Sequence, residues 1–480
     1  MHREIQSSSS LLCVDLDGTL LKSNSFFEVC WYAMRRHPRL LFQLPLWLLS
    51  GQAEVWRQIV RYGPFPVDSW PLNTEAASFV KNQMKRRRVY LVTGASQTIA
   101  EQFANHFGGF SGVFGSKETH LVGDRKAQLL EQQFGAKLFD YLGDSKSDIP
   151  AWEACDNALT VASGSSLASL QSRMRCSLHS ITGTVIPSTI DSLLACMRPH
   201  QWSKNLLVFA PALLGHGILN VSIFWACLEA FVSFSMVSSA MYLLNDCMDL
   251  EADRTHSAKC NRPVASGNLP IPNALLAALL LWVTATALAL CTSPSLGAIT
   301  VVYSLTVLLY SIGLKTILIV DLILLALFYV VRIFAGSAAT GIPVSFWLSL
   351  YSLFLFFGLA TLKRCSELHV AVLRGSPVSS RRAYLTEDNL ALTVLGAGSH
   401  LVSILVVGLY IHSTEIVRLY GSPQILWLLC PVILCWCARL WILCGRGLVE
   451  EDPIIFAIRD RWSHATACIA ILIGLGAKMQ

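Results

Sequence analysis

From about Leu206 onward, apolar stretches long enough to cross a bilayer follow one another at short intervals. No other feature constrains the fold of this 480-residue chain as strongly. A run of about 20 apolar residues is what one helix needs to span hydrocarbon, where each backbone polar group must be satisfied inside the segment. Residues 1–190 differ, with mixed charge and short alternating apolar runs typical of a water-soluble domain. The average of 53% hydrophobic and 14% charged residues hides that division. A net charge of +6 is what basic loops beside a membrane produce, and it calls for no nucleic acid. The 15 cysteines are scattered and form no CxxC pair, so they read as small buried hydrophobes. The first apolar run, Leu11–Val14, is too short for a signal peptide.

Nine spans are expected, near 203–219, 222–244, 272–291, 296–313, 317–338, 345–362, 391–411, 424–444 and 464–479. Charge orients them. The even connections carry Arg254, Lys259 and Arg262, then Lys315, then Lys363, Arg364, Arg374, Arg381 and Arg382, then Arg446, Arg459 and Arg461. The odd connections 216–220, 292–295 and 340–345 have no Lys or Arg, and the seventh has only Arg418. By the positive-inside rule the even loops and the N-terminal domain are expected in the cytoplasm, with the chain integral to the cell inner membrane.

The first of these even connections opens with Asn245-Asp246-Cys-Met-Asp249-Leu-Glu-Ala-Asp253-Arg254. Aspartates three and four apart share one face of a helix and repel each other, so the spacing predicts a cation between them. Hard oxygen ligands suit Mg²⁺, which takes one or two carboxylates plus substrate phosphates. The cluster reads as a diphosphate site at a membrane surface. Around it stand Arg198-Pro-His-Gln-Trp202-Ser-Lys204-Asn205, the tail Lys259-Cys-Asn-Arg262-Pro263, Tyr310 through Lys315, and Lys363-Arg364-Cys-Ser-Glu367. Asp321 and Arg332 fall within spans, where charges are rare unless paired or functional.

Residues 196–478 resemble the UbiA superfamily of membrane prenyltransferases, whose first aspartate-rich motif N-D-x-x-D-x-x-x-D is matched in full by 245–253. Within it they are most similar to the decaprenyl-phosphate phosphoribosyltransferase branch. Lys363-Arg364-x-x-Glu367-Leu368 stands where general members carry a second aspartate-rich motif. The branch pattern His-Pro-x-Lys-Arg-x-Arg-Pro is altered to His256-Ser-Ala-Lys259-Cys260-Asn-Arg262-Pro263. The resemblance implies that Asn245, Asp246, Asp249 and Asp253 are catalytic, with the aspartates holding Mg²⁺. It also implies that Lys204, Arg254, Lys259, Arg262, Tyr310, Lys315, Lys363, Arg364 and Glu367 bind substrate. The expected reaction joins a polyprenyl lipid to a diphosphate-activated group, with PRPP as donor and polyprenyl phosphate as acceptor. Two alternatives remain: polyprenyl transfer to an aromatic acceptor, and a non-catalytic lipid-binding or transport protein with a regulatory soluble domain. An oligomer is possible.

In the soluble half, Leu11-Leu-Cys-Val-Asp15-Leu-Asp17-Gly-Thr19 is an apolar run ending in two aspartates. Thr93-Gly94 closes a second such run, Gly123-Asp-Arg-Lys126 opens an amphipathic helix, and Tyr141-Leu-Gly143-Asp144-Ser-Lys-Ser-Asp148 ends a third run. Residues 9–175 thereby resemble the haloacid dehalogenase (HAD) superfamily. That resemblance implies Asp15 as nucleophile, Asp17 as acid and base, Thr93 and Lys126 as phosphoryl ligands, and Asp15, Asp144 and Asp148 as Mg²⁺ ligands. The Leu40–Leu49 run is too short to span, and is expected either on the membrane surface or in the core of a cap. The expected architecture is an N-terminal Rossmann-like α/β HAD domain over 1–175, with a cap insertion at about 20–85. A connector at 176–196 and an all-α membrane domain over 197–480 follow.

Overall fold

A computed structural model describes residues 10–479 apart from 118, 183–186, 257, 374–382, 414–415, 417–419 and 450–452. Arg374, Arg381, Arg382 and Arg418, used above for orientation, lie outside the described residues. The chain forms two compact units: Met1–Met197 with Asp246–Ala277, and Arg198–Asn245 with Ala278–Gln480.

The first unit is built on six parallel strands: β1 (Leu11–Val14), β2 (Arg88–Ser96), β3 (Gly112–Ser116), β4 (Asp140–Gly143), β5 (Ala158–Thr160) and β6 (Leu178–Ser180). Their spatial order is β3-β2-β1-β4-β5-β6. Parallel strands covered on both faces need continuous apolar runs, and β1 shows why. Leu12 and Val14 enter one buried cluster with Leu91 and Leu142, while Leu11 and Cys13 enter the other with Val92 and Tyr141. Helices α1 (Ser25–Arg36), α2 (Leu40–Leu49), α3 (Gln52–Ile59) and α4 (Thr74–Met84) form the expected insertion between β1 and β2. α5 (Gln97–Phe107), α6 (Asp124–Phe134), α7 (Ile149–Ala154) and α8 (Gly164–Gln171) connect the later strands. The chain leaves β1 toward β2 on one side, and β4 lies on its other side. This is the switch point where open α/β sheets place their ligand crevice.

The expected connector at 176–196 is not featureless. It holds β6, paired with β5, and most of α9 (Thr189–Met197). A three-residue edge strand with only Leu178 buried carries no alternation for sequence reading to find.

In the second unit the first expected span, near 203–219, is not one α-helix. Pro199–Phe209 winds as an 11-residue 3₁₀ helix, followed by the short α10 (Ala210–Leu214). Prolines 199 and 211 and the polar run through Asn205 account for the break. Long 3₁₀ stretches are uncommon, and tertiary contacts hold this one. Asn205 is fully buried; its amide donates to Ser235 Oγ at 3.1 Å, and its Oδ1 accepts from Arg332 Nε at 2.7 Å. Arg332 also donates to the Tyr303 hydroxyl at 3.1 Å and to the Phe328 carbonyl. A Cβ on Gly336 would lie 1.9 Å from the Val208 carbonyl oxygen, so only glycine admits the 3₁₀ segment at this distance.

Among the described residues, seven helices are long and apolar enough to cross a membrane. They are α11 (Val221–Met248), α13 (Ile271–Thr292), α14 (Pro294–Ile312), α15 (Val320–Thr340), and the spans Phe346–Val370, Thr386–Ile411 and Pro423–Gly445. The last three contain α16 (Phe346–Leu373), α17 (Asn389–Ile411) and α18 (Leu429–Gly445). After α19 (Pro453–Arg459), the ninth expected span is α20 (Arg461–Met479). It has the length, but its polar start at Arg461-Trp-Ser-His464 and Lys478 near its end leave it less apolar than the seven. The chain is an integral membrane protein.

Between α11 and α13 the chain enters the first unit. There the short helix α12 (Leu250–Thr255) lies against α1. Arg254 meets Glu28 in a two-pronged pair at 2.6 and 3.0 Å, with both side chains almost fully buried, and its Nε donates to the Ala265 carbonyl at 3.1 Å. Arg35 pairs with Glu251 at 3.1 Å, and Trp31 Nε1 donates to the Cys247 carbonyl at 2.8 Å. Removing one partner of a buried pair strands the other charge in low dielectric. Glu28→Ala is therefore expected to cost about 3–5 kcal/mol. Glu28→Leu combined with Arg254→Met should recover most of that loss. Thermal unfolding of the detergent-solubilised chain checks both, and a double variant as unstable as the single one contradicts the pairing.

Candidate functional site

At the switch point, four residues that the HAD-like motifs singled out, Asp15, Lys126, Asp144 and Asp148, come together. β1 ends at Val14, in register with Leu91 and Leu142, so Asp15 emerges beside the C-terminal ends of β2 and β4. Lys126, from the first turn of α6 and almost fully buried, donates to Asp15 Oδ1 at 3.0 Å and to Asp148 Oδ1 at 3.1 Å. Tyr141, on β4, accepts from the same ammonium at 2.9 Å and donates to Asp148 at 2.8 Å. Sequence reasoning missed Tyr141. A polar tip on an otherwise apolar strand was the only signal, and many buried tyrosines share it.

Asp17 accepts from the Ser25 backbone N–H at 2.6 Å and from Ser25 Oγ at 2.9 Å, so the start of α1 fixes its orientation. Thr93 is buried, and its Oγ1 accepts from the Ala95 N–H at 3.1 Å. Asp148 Oδ2 accepts the backbone N–H groups of Asp144 and Ser145 at 3.2 and 3.3 Å. Gly18, at φ +74°, leaves room for Asp144: a Cβ there would sit 2.2 Å from its Oδ2.

Among the described residues, Asp15, Asp144 and Asp148 are the set whose ligand atoms converge within 4.8 Å. Three hard oxygen donors at that separation fit a divalent cation such as Mg²⁺. Electrostatics supports the fit. Burial, only partly offset by Lys126, raises the Asp15 carboxyl to about 7, with Asp148 pushing the same way. Burial, then Asp148 and Asp15, raises Asp144 well above the usual carboxylate range. Burial alone would lower Lys126, yet Asp15 and Asp148 more than offset it and raise its pKa. The site has an excess of buried negative charge that a bound cation would relieve.

The aspartate-rich segment differs from its expected geometry. Asp246, Asp249 and Asp253 do not share one continuous helix. α11 ends at Met248, Asp249 sits in the break, and α12 starts at Leu250. The local pattern of a three- and four-residue spacing cannot reveal a break that a single residue makes. Asp246 and Asp253 are nonetheless brought together, because Arg262 donates one nitrogen to both, at 3.1 and 2.6 Å. Asn245 lies one residue earlier, in the last turn of α11, and Lys259 starts a short 3₁₀ turn next to Arg262. Arg254 is committed to Glu28 and the Ala265 carbonyl, a role its sequence position did not signal.

Within the second unit, Tyr310, Arg364 and Glu367 join one network with Asp321. Arg364 forks onto Asp321 at 2.6 and 2.8 Å, donates to Glu367 at 2.7 Å and reaches the Tyr310 hydroxyl at 3.1 Å. The Tyr310 hydroxyl itself donates to Asp321 at 2.7 Å. Asp321 and Arg364 are buried, whereas Glu367 is exposed. Lys363 is half-buried beside Arg364, and Lys315 sits in the 3₁₀ turn Leu314–Thr316. Lys204 is buried in the long 3₁₀ stretch, 5.7 Å from the centre of the Tyr329 ring.

Comparison with known proteins agrees with both halves. Residues 12–153 match the haloacid dehalogenase-like hydrolase family, and residues 206–447 match the UbiA prenyltransferase family. An uncharacterized protein of Sinorhizobium fredii is 32% identical over 94% of this chain and 88% of its own length. A decaprenyl-phosphate phosphoribosyltransferase of Mycobacterium tuberculosis is 38% identical over 193 residues, 39% of this chain and 64% of its own. The nodulation protein NoeC of Azorhizobium caulinodans is 28% identical over 58% of this chain and 91% of its own. A solved UbiA homolog from Archaeoglobus fulgidus, bound to GPP and Mg²⁺, aligns with a TM-score of 0.46 at 16% identity, over 59% of this chain and 99% of its own. The chain belongs to the UbiA prenyltransferase family and carries an N-terminal haloacid dehalogenase-like domain.

Proposed function

We propose that this transferase moves a 5-phosphoribosyl group from PRPP to a polyprenyl phosphate, and that its HAD unit then removes the ribose 5′-phosphate of the product. The observation that carries the reading is the end of α16. Lys363-Arg364-x-x-Glu367 occupies the place of a second aspartate-rich motif, with Arg364 built into a network with Tyr310 and Asp321. Similarity to the M. tuberculosis phosphoribosyltransferase supports the same branch. Both units' motif loops and the HAD domain are assigned to the cytoplasmic side of the inner membrane, from the distribution of Lys and Arg.

The chemistry asks for few proton transfers. A phosphate oxygen of the acceptor lipid is already anionic and needs no base, so the chain's task is to bind, orient and neutralise. Asp246, Asp249 and Asp253 would hold Mg²⁺, which supplies charge neutralisation at the departing diphosphate. Arg262 bridges Asp246 and Asp253, and its release onto substrate phosphate would free these carboxylates for the metal. Asn245, Lys204, Lys259, Lys315 and Lys363 complete the set of groups assigned to donor and acceptor. In the HAD unit, Asp15 attacks the phosphoryl group, Asp17 protonates the leaving oxygen and later activates water, and Thr93 and Lys126 hold phosphoryl oxygens. Asp144 and Asp148 would complete the metal shell there.

Asp246→Ala is expected to abolish transfer, because it removes a leaving-group ligand worth several kcal/mol. Asp15→Asn should leave transfer intact and accumulate the phosphorylated lipid, where wild type yields the dephosphorylated one. Mass analysis of lipid products from labelled PRPP and polyprenyl phosphate reads both. Normal transfer by Asp246→Ala refutes the site, and label appearing only when a prenyl diphosphate and a phenolic acceptor are supplied refutes the donor.

Metal binding to the HAD site carries its own pH signature. A carboxyl raised to about 7 keeps its proton below that pH, and a ligand must lose its proton to bind metal. Affinity therefore rises with pH, and apparent Mg²⁺ affinity at pH 5 should be about fiftyfold weaker than at pH 7. Mg²⁺-induced thermal stabilisation, titrated at both pH values in the Asp246→Ala protein, measures this. A flat profile contradicts the assignment.

A further inference from the structure

We infer that α2 is an interfacial helix that seats the HAD unit on the bilayer surface, and that the phosphate its active site takes is therefore carried on a lipid. The inference rests on the phosphatase reading above for its substrate, but not for its membrane contact. α2 is Leu40-Leu-Phe-Gln-Leu-Pro-Leu-Trp-Leu-Leu49. Leu40 and Leu44 point inward and join the buried cluster that also holds Val29 of α1 and Val55 and Ile59 of α3. Trp47 follows at the next position on that face and is half-buried. The rest of the helix would be polar in a soluble domain. Here it presents Leu41, Phe42, Leu46, Leu48 and Leu49 to the surroundings, with Phe42 81% and Leu49 85% exposed. Five large apolar side chains on one short helix form a contiguous patch of the kind that marks an interaction surface.

Three observations commit this patch to lipid. The chain itself crosses a membrane, and it passes between the two units at Met197–Arg198, Asn245–Asp246 and Ala277–Ala278. Three covalent joins to a membrane-spanning unit keep the bilayer at high effective concentration around the first unit. Charge is complementary as well: no acidic residue occurs between Glu28 and Glu54, while Arg36 and Arg39 are exposed immediately before the helix. Basic residues flanking an apolar face suit anionic headgroups. Finally, ten residues make a helix about 15 Å long, half of what spanning needs, so the segment lies on the membrane instead of crossing it. Anchored through its buried face in the core of the HAD unit, it would keep that unit at the headgroup layer, where a lipid-borne phosphate is within reach and its tail can stay in hydrocarbon.

The test uses the full chain in proteoliposomes of phosphatidylcholine with phosphatidylglycerol. A photoreactive benzoyl-phenylalanine replaces Phe42 in one protein and Leu138, an equally apolar exposed residue of the same unit, in another. Lipid adducts at position 42 several-fold above those at 138 support the inference. Equal yields overturn it, and so does a dominant crosslink from 42 to a second copy of the chain. The triple variant Phe42→Asp, Leu46→Asp, Leu49→Asp then tests the substrate class. Hydrolysis of a lipid-linked phosphate should fall at least tenfold through KM, with hydrolysis of p-nitrophenyl phosphate unchanged. Equal losses on both substrates mean a structural role and overturn it, as does no loss on either. A wild-type chain inactive on both phosphates sinks the phosphatase reading and with it the substrate class, while the crosslinking result still decides the membrane contact.

Discussion

Buried carboxylates need a cation between them, and this chain meets that need repeatedly with its own side chains. Lys126 stands between Asp15 and Asp148, Arg262 between Asp246 and Asp253, and Arg364 against Asp321; Arg254 closes on Glu28. Each arrangement would be untenable without the basic partner, because charges in low dielectric survive only when paired and hydrogen-bonded. The pairs divide by what surrounds them. Arg254–Glu28 and Arg364–Asp321 are nearly closed to solvent and serve as struts, whereas the Arg262 side chain is more than a quarter exposed and can exchange partners. Lys126 is as enclosed as those struts, so the two assigned sites differ in how firmly the protein's own cation is held.

This distinction changes the meaning of the basic residues read from the sequence. Counting Lys and Arg near an aspartate cluster treats them as a common pool of phosphate ligands. The three-dimensional arrangement sorts them. Arg254 and Arg332 are consumed by the fold, the first by Glu28 and the second by Asn205, Tyr303 and a carbonyl. Arg364 is likewise held by Asp321, Tyr310 and Glu367. A guanidinium has five donors in a rigid plane, so one that bridges several elements has little left for a ligand.

How much the sequence disclosed depended on how local the signal was. The HAD motifs were legible because each is a strand end or helix start, contiguous in sequence and fixed by residue type: Asp15 to Thr19, Thr93, Lys126, and Asp144 to Asp148. Their convergence followed from the parallel sheet. The spans between 221 and 445 were legible because hydrocarbon demands length and apolarity and little else. The first expected span differs in its helix type because Pro199, Pro211 and Asn205 redirect a hydrophobic stretch into 3₁₀ geometry, which composition averages away. Strand β6 was illegible for the opposite reason, being too short to show a period. The co-facial reading of Asp246, Asp249 and Asp253 assumed an unbroken helix, and the break at Asp249 shows in backbone angles and not in residue types.

Asp246–Ala277 is an excursion of the membrane half that completes the soluble half. The two units are thus interleaved along the chain, each built from more than one segment of it. A gene cut after residue 197 would release a HAD domain whose Glu28, Trp31 and Arg35 have lost their counterparts, and a membrane protein whose aspartate loop has lost its backing helix. Such a junction resists modular shuffling: once Glu28 and Arg254 depend on each other, losing either half exposes a bare charge in the other. The fusion is in this sense a ratchet, easier to enter by descent than to leave.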